Sequence, residues 1–206
     1  MDERKNLGVY IDHDPKDWEY DGGPLVLTGD FIHDAINFAV LKHSGQVRKG
    51  TKTPYVSHPF EVMQVLSENG CSELVRAAGM LHDVLEDTNT TPAEIQEVFG
   101  EDVLKIVAAE SEDKSKSWNE RKQATIDGLS GARYEVKIVC LADKLSNLRS
   151  MAADKAAFGD ILWQRFNAPK ADIEWYYRQV LGKMLDFSHT EMYSEYVSLL
   201  EKTFNE

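Results

Sequence analysis

Residues 71–87 read CSELVRAAGMLHDVLED and form the most apolar helical stretch of the chain. Its apolar residues recur at helical spacing, so we predict one buried helix over residues 71–87. Four polar residues crowd its carboxyl end, namely His82, Asp83, Glu86 and Asp87. Burying an imidazole and a carboxylate is costly unless something neutralises and coordinates them, and a divalent metal ion does both. The stretch therefore predicts a central helix that ends in a polar site.

Helical periodicity also dominates the rest of the chain, and we find no sustained two-residue alternation that would mark a β-strand. We therefore predict an all-α fold, a helical bundle that forms one domain over residues 28–206. Further helices are predicted over residues 28–43, 58–70, 91–99, from 102 onward, and over 134–151, 171–185 and 190–204. Residues 1–27 lack the period and contain Gly22-Gly23-Pro24, so we predict an irregular amino-terminal arm.

The composition narrows the class of protein. A chain of 206 residues with 42% hydrophobic content can bury one core. Its net charge of −12 argues against general nucleic-acid binding, which needs clustered Lys and Arg. The two cysteines, Cys71 and Cys140, lie far apart in or beside apolar sequence and are predicted to be buried free thiols. No stretch is apolar enough to span a membrane or to act as a signal peptide. We expect a soluble cytoplasmic protein without a nucleic-acid or membrane partner.

Two further polar residues interrupt apolar sequence far from residues 71–87. His58 stands at the start of a predicted helix, and Asp143 lies one turn before Asn147 on the apolar strip of another. A single buried histidine is more often a core or capping residue, but several such groups together favour a metal site, because their burial penalties would otherwise accumulate. The predicted ligands are His58, His82, Asp83 and Asp143. Their mixed nitrogen and oxygen donors suit Mn²⁺, Fe²⁺, Co²⁺ or Zn²⁺ better than Mg²⁺ or Ca²⁺.

The residues around the predicted ligands add two expectations. Glu86 and Asp87 follow His82 and Asp83 by one turn, so they can point into the same cavity and handle protons, although they could also be solvated acids at a helix end. The charged stretch 110–122 could be a loop over the site or a solvated helix face. We favour the solvated face, because runs of charge are usually solvated.

These motifs together resemble one known family. His58-Pro59 is followed by LHDVLEDT over residues 81–88 and by LADKLSNLR over residues 141–149, and GQVRKG at 45–50 and TPY at 53–55 precede them. This set resembles the HD-superfamily hydrolase domain of the RelA/SpoT alarmone enzymes over about residues 31–181. Residues 110–114 match the family pattern only in part. The resemblance implies an HD-type metal-dependent phosphohydrolase domain over residues 28–206.

The resemblance implies a role for each matched position. Metal binding is implied for His58, His82, Asp83 and Asp143, with Mn²⁺ as the cofactor and other divalent transition metals as alternatives. Handling of water and protons is implied for Glu86 and Asp87. Substrate binding is implied for Arg48, Lys49, Asn147 and Arg149. An arginine can fork onto a phosphate or stack on a base, and a lysine supplies a compact charge.

The chain ends at Glu206, which leaves no room for the synthetase and regulatory domains of the long family members. It therefore resembles the single-domain small alarmone hydrolases, including the metazoan SpoT homologs. These remove the 3′-pyrophosphate of ppGpp or pppGpp, so the implied partner is a small-molecule nucleotide and the implied products are GDP or GTP and pyrophosphate.

Two alternatives remain open at this stage. The same site could act on another nucleotide, such as ppApp, NADPH or a nucleoside monophosphate. The protein could also be non-catalytic and bind a nucleotide or neutralise a partner synthetase. Glu86 and Asp87 argue against pure binding, because two additional carboxylates do not help to hold an anionic phosphate. The other histidines supply no second metal set, namely His13, His33, His43 and His189.

Overall fold

The computed structural model describes residue 25 and residues 27–205. This part of the chain is all-α, as predicted, and its only β-type pairing is an isolated bridge between Val47 and Pro54. Its helices are α1 (Phe31–Lys42), α2 (Ser57–Glu68), α3 (Glu73–Leu81), α4 (Val84–Asp87), α5 (Pro92–Phe99), α6 (Glu101–Glu110), α7 (Trp118–Leu129), α8 (Tyr134–Phe158), α9 (Lys170–Lys183) and α10 (Glu191–Asn205). Two 3₁₀ helices cover Gly159–Arg165 and Leu185–Phe187. Nearly all of the predicted arm, residues 1–27, lies outside the described residues.

Helix α3 lies at the centre of the bundle and packs against α1, α2, α6 and α8. Its residues from Ala77 to Leu81 are fully buried or nearly so, which accounts for the apolar sequence of this stretch. Gly79 allows α2 to approach closely, because a Cβ atom at this position would overlap the side chain of Leu66. The close approach brings the amino-terminal turn of α2 near the carboxyl end of α3.

Helix α8 is the longest, at 25 residues, and carries the second half of the site. It packs against α2, α3 and α6, and against α10 and the 3₁₀ helix Gly159–Arg165. It continues to Phe158, seven residues beyond the predicted end at 151, and the backbone then turns at Gly159, whose φ is +60°. Among the described residues, no helix is both long and apolar enough to cross a membrane.

The predicted single helix over 71–87 is wrong in one respect. Helix α3 begins at Glu73 with Ser72 as its cap, and it ends at Leu81; α4 then covers Val84–Asp87. The interruption falls on His82 and Asp83, where the ring Nδ1 of His82 lies 2.8 Å from the carbonyl oxygen of Gly79. A side chain that binds the backbone one turn earlier competes with the helical ladder. Hydrophobic periodicity does not report such a local bond.

Other helix boundaries follow their capping residues. Helix α1 begins at Phe31 rather than at 28, because the Asp30 side chain accepts a hydrogen bond of 2.8 Å from the His33 amide. Helix α5 starts where the sequence predicted, with a capping box between Thr91 and Glu94. The expectation of buried thiols holds for Cys140, whereas Cys71 is half-buried; both cysteines are free.

Candidate functional site

The four predicted metal ligands come from three helices and lie together. His58 belongs to the first turn of α2, His82 and Asp83 form the break between α3 and α4, and Asp143 lies in the middle of α8. The His58 Nε2 atom is 3.0 Å from Asp143 Oδ1 and 3.7 Å from Asp83 Oδ2. The His82 Nε2 atom is 2.9 Å from Asp83 Oδ2 and 3.7 Å from Asp143 Oδ1. The tightest set is His58, His82 and Asp143, whose donor atoms all lie within 4.8 Å of one another.

The orientation of His82 tests whether a cation fits this position. Its Nδ1 atom faces the carbonyl oxygen of Gly79, which can only accept a hydrogen bond, so Nδ1 carries the ring hydrogen. Its Nε2 atom is buried and has no hydrogen-bond partner among the residues that the structure describes. Nε2 nevertheless lies 2.9 Å from Asp83 Oδ2 and 3.7 Å from Asp143 Oδ1, so in its neutral form the ring would turn the Nε2 lone pair toward two aspartates. That arrangement is unfavourable in isolation and becomes favourable around a divalent cation.

The pKa values within the cluster reflect its buried charges. Burial lowers the pKa of His58 and outweighs the attraction of Asp143. Burial also acts to lower the pKa of His82, but the neighbouring carboxylates, Asp83 first, outweigh it and raise this pKa to about 10. Burial acts to raise the pKa of Asp143, yet Lys144 and the two imidazoles hold it well below its usual value. Metal binding here would therefore compete with protonation of the His82 ring.

The carboxylates of Asp83 and Asp143 are held by hydrogen bonds from residues around them. The Tyr55 hydroxyl donates to Asp83 Oδ2 over 2.6 Å. Asn147 Nδ2 donates to Asp143 Oδ1 over 2.7 Å, and Lys144 Nζ pairs with the other oxygen of Asp143. These bonds fix the direction in which each carboxylate presents its lone pairs. Sequence reasoning missed Tyr55 and Lys144 as site residues, although both adjoin or belong to quoted motifs.

Glu86 and Asp87 lie beside the cluster and are held by the segment 111–117. Glu86 Oε2 accepts a hydrogen bond of 3.0 Å from the backbone amide of Glu112. Lys114 Nζ donates to the Glu86 carbonyl oxygen and to Asp87 Oδ1, both over 2.7 Å. Burial raises the pKa of Glu86 above the ordinary value of a glutamate, although the bond from Glu112 opposes the shift. Glu86 is therefore a better proton acceptor than an exposed glutamate.

The expectation that residues 110–122 form a solvated helix face is correct only in part, because residues 113–117 are exposed but are not helical. Residues 111–117 form a loop that contacts the site, and helix α7 begins only at Trp118. The Glu112 carboxylate is nearly buried and pairs with Arg121 at 2.8 Å and with Lys122 at 2.6 Å. Because ion pairs across the loop neutralise these charges, the charged side chains can be partly buried and need not all face solvent.

A cleft of about 400 Å³ opens beside the cluster, on the side of α8 that carries Asn147. Its lining includes Arg48, Lys49 and Asn147 as predicted substrate contacts, together with Tyr55. Arg48 Nη2 donates to Asn147 Oδ1 over 3.0 Å, and its guanidinium lies 5.9 Å from the centre of the Tyr55 ring. Asn147 thus connects the cleft arginine with a carboxylate of the metal cluster.

Arg149, the fourth predicted substrate contact, is placed elsewhere. Its guanidinium donates two hydrogen bonds of 2.7 Å to Glu195 and one of 3.2 Å to Glu61. It does not line the cleft. On helix α8 it lies two residues after Asn147, which turns it to a different face. The structure therefore does not bring Arg149 together with the other candidate substrate contacts.

Comparison with known proteins agrees with this arrangement. Residues 35–164 match the family model for the HD domain. The guanosine-3′,5′-bis(diphosphate) 3′-pyrophosphohydrolase MESH1 of Xenopus tropicalis is 44% identical over 123 residues, which cover 58% of this chain and 69% of that protein. The corresponding protein of Danio rerio is 40% identical over 122 residues, or 57% of this chain and 67% of its own length.

Two solved structures share the fold. A crystal structure of a Listeria monocytogenes protein superposes with a TM-score of 0.68 and 33% identity, covering 72% of this chain and 99% of that one. A metazoan ortholog of SpoT, described as hydrolysing ppGpp, superposes with a TM-score of 0.70 and 27% identity, covering 86% of this chain and 97% of that one. The chain therefore belongs to the HD domain family and, within it, to the RelA/SpoT-type hydrolases.

Proposed function

We propose that this protein is a Mn²⁺-dependent hydrolase that removes the 3′-pyrophosphate of ppGpp and pppGpp. The observation that carries the proposal is the convergence of His58, His82 and Asp143, whose donor atoms all lie within 4.8 Å of one another. Asn147 contacts both Asp143 and Arg48, which lines the adjacent cleft. Relatives at 38–44% identity carry the name of this activity, which supports the choice of substrate.

The proposed metal ligands are His58, His82, Asp83 and Asp143. Two imidazole nitrogens and two carboxylates form a set that Mn²⁺ accepts readily, and Fe²⁺, Co²⁺ or Zn²⁺ would also fit. When bound, the cation supplies Lewis acidity, which polarises a phosphoryl oxygen and makes a neighbouring water more acidic. The orphaned Nε2 of His82 supports this assignment on structural grounds.

Glu86 and Asp87 are the proposed residues for proton transfer. Glu86, with its raised pKa, accepts the proton of the attacking water. The water oxygen forms a bond to the phosphorus that is attached to the ribose 3′-oxygen. The bond between this phosphorus and the 3′-oxygen breaks, and the 3′-oxygen leaves with a proton. One water is consumed, and GDP or GTP and pyrophosphate are released. The Lys114 ammonium lies 2.7 Å from Asp87 Oδ1 and 3.9 Å from Glu86 Oε1, so its charge reduces the repulsion between these two acids.

Arg48, Lys49 and Asn147 are the proposed substrate contacts. Arg48 reaches the cleft with a planar guanidinium that suits a phosphate or the face of a base. Lys49, whose amine reaches Asn167 at 2.7 Å, adds an exposed positive charge at the rim of the cleft. Together they supply the local basic patch that an acidic protein needs for a polyanionic nucleotide. Two free cysteines and a nucleotide substrate support a cytoplasmic location.

An anion-exchange assay tests the proposal with Mn²⁺-loaded protein incubated with ppGpp, ppApp and NADPH. We expect conversion of ppGpp to GDP and pyrophosphate, with loss of turnover in Glu86→Gln and in Asp83→Ala. Metal binding should survive in Glu86→Gln, which does not alter a ligand, and should weaken in Asp83→Ala. Intact ppGpp in the wild-type reaction would overturn the proposal. Turnover of another nucleotide would keep the metal site and replace the substrate.

A further inference from the structure

A chain of hydrogen bonds leads from the back of His58 to the surface. His58 Nδ1 lies 2.9 Å from the hydroxyl oxygen of Ser146, and both residues are buried. The Ser146 hydroxyl donates to Glu61 Oε2 over 2.8 Å. The other oxygen of Glu61 accepts from Arg149 over 3.2 Å, and Arg149 is anchored by two further bonds to Glu195. None of these residues except His58 contacts the candidate metal position.

The direction of every hydrogen bond in this chain follows from the groups involved. Arg149 can only donate, and an ionised Glu61 can only accept. The single hydroxyl hydrogen of Ser146 is therefore used toward Glu61. The Ser146 oxygen is left as an acceptor, so His58 must donate to it from Nδ1. A neutral His58 then carries its hydrogen on Nδ1 and has a free lone pair on Nε2, the atom that faces Asp143.

We propose that Ser146 and Glu61 are positioning residues that hold His58 in the tautomer required for metal binding. His82 reaches the same tautomer through a backbone carbonyl, which no substitution of a side chain can remove. For His58 the tautomer depends on side chains alone, so it can be changed. This inference rests on the metal site of the proposed function and does not depend on the nucleotide. It also gives Arg149 a role, since its fixed guanidinium directs Glu61 toward Ser146.

Glu61→Gln reverses the hydrogen-bond chain with little change of shape. Arg149 remains a donor, so the Gln oxygen turns toward it and the amide nitrogen faces Ser146. Ser146 then accepts from the amide and donates to His58 Nδ1. His58 is forced to carry its hydrogen on Nε2, in the direction of the metal. Because loss of a residue that orients a metal ligand typically weakens affinity about 10- to 100-fold, we expect a loss in that range.

The readout is the affinity for Mn²⁺ and Zn²⁺ without nucleotide, measured by competition with a chromophoric chelator. Glu68→Gln is the matched control, because Glu68 is an exposed glutamate on the same helix whose side chain, among the described residues, hydrogen-bonds only to Gln64. It should bind metal as the wild type does. Thermal unfolding of the metal-free proteins separates folding from positioning: Glu61→Gln should unfold near the wild-type midpoint.

A double-mutant cycle with Ser146→Ala completes the test. If Glu61 acts through Ser146, then Glu61→Gln should have no further effect on metal affinity once the hydroxyl is absent. Wild-type metal affinity in Glu61→Gln, or losses that add in the double variant, would overturn the inference. Failure of the wild type to bind either ion would instead contradict the metal site of the proposed function, so the two failures are distinguishable.

Discussion

Replacement of Glu112 by alanine should impair catalysis from outside the metal cluster. The Glu112 side chain accepts from Arg121 at 2.8 Å, from Lys122 at 2.6 Å and from Thr125 at 3.4 Å, all on α7. Its own backbone amide donates to Glu86 Oε2. The side chain therefore anchors to α7 the loop that orients the proposed proton acceptor.

The size of the effect on stability follows from the burial of the partners. Removal of one member of a buried ion pair costs about 3–5 kcal/mol, because the other charge is left uncompensated. Arg121 and Lys122 are 22% and 18% exposed, so water partly compensates them, and we expect a loss of about 2–3 kcal/mol. For a protein of this size, that loss lowers the unfolding midpoint by roughly 5–10 °C.

The Glu112→Ala substitution should change the activity through kcat. Displacement of a positioned group by about 1 Å can reduce the rate as much as 100-fold, so we expect kcat to fall about 10- to 100-fold. KM should change little, because Arg48 and Lys49 are held by Asn147 and Asn167 and not by this loop. The assay is steady-state hydrolysis of ppGpp at a temperature where the variant is folded.

Glu120→Ala is the control for this prediction. Glu120 completes the capping box of α7 with Ser117 but is exposed, and within the described part of the chain it makes no hydrogen bond to Glu86. Its loss should cost about 0.5–1 kcal/mol and leave kcat unchanged. If Glu112→Ala unfolds as early as expected but keeps the wild-type kcat, then the loop does not orient Glu86 and the reasoning is refuted.

Three further predictions concern the acid, the cleft and the core. Glu86 must be ionised to accept a proton, and burial raises its pKa. We therefore expect kcat/KM to fall as the pH drops through a value above the ordinary glutamate range. A pH profile with a lower midpoint would contradict this role of Glu86. Arg48→Lys keeps the charge but loses the planar fork, so KM for ppGpp should rise about 10-fold with kcat retained, and an unchanged KM would exclude Arg48 as a contact. Gly79→Ala should destabilise the fold by about 1–3 kcal/mol in urea unfolding. Gly128→Ala, on an open helix surface, should stabilise the fold by about 0.5–1 kcal/mol. Equal effects of the two substitutions would contradict the close packing of α2 on α3.

Most helices and the four polar residues of the cluster could be predicted from the sequence. Apolar periodicity gives the helices, and polar residues within apolar stretches stand out because their burial must be compensated. Those two signals identified His58, His82, Asp83 and Asp143, which the structure brings together. No contact had to be known for this inference, because the cost of burial is a property of each residue.

The positions of Lys114 and Arg149 and the break at His82 depend on contacts that hydrophobic periodicity does not encode. Lys114 is a surface lysine by sequence, and only the path of the loop brings it to Asp87. Arg149 follows Asn147 in a matched motif, yet Glu195, 46 residues away, holds it outside the cleft. The break at His82 arises from one side-chain bond to the backbone. Partners at long range thus decided the positions of Lys114 and Arg149, whereas a side-chain bond to Gly79, one turn earlier, decided the break at His82.

Charge balance explains how a protein with a net charge of −12 can accept a polyanion. At physiological salt, screening limits the electrostatic interactions of surface acids to a distance of about 8 Å. Only charges close to the cleft therefore affect the binding of a polyanion. Within that range the structure pairs its acids: Lys144 contacts Asp143, and Lys114 contacts Asp87. Arg48 is left with neutral partners, Asn147 and Ser150, and so retains its full charge toward the cleft. A divalent cation at the cluster would add positive charge beside the cleft, so we expect nucleotide affinity to fall when the metal is removed with a chelator.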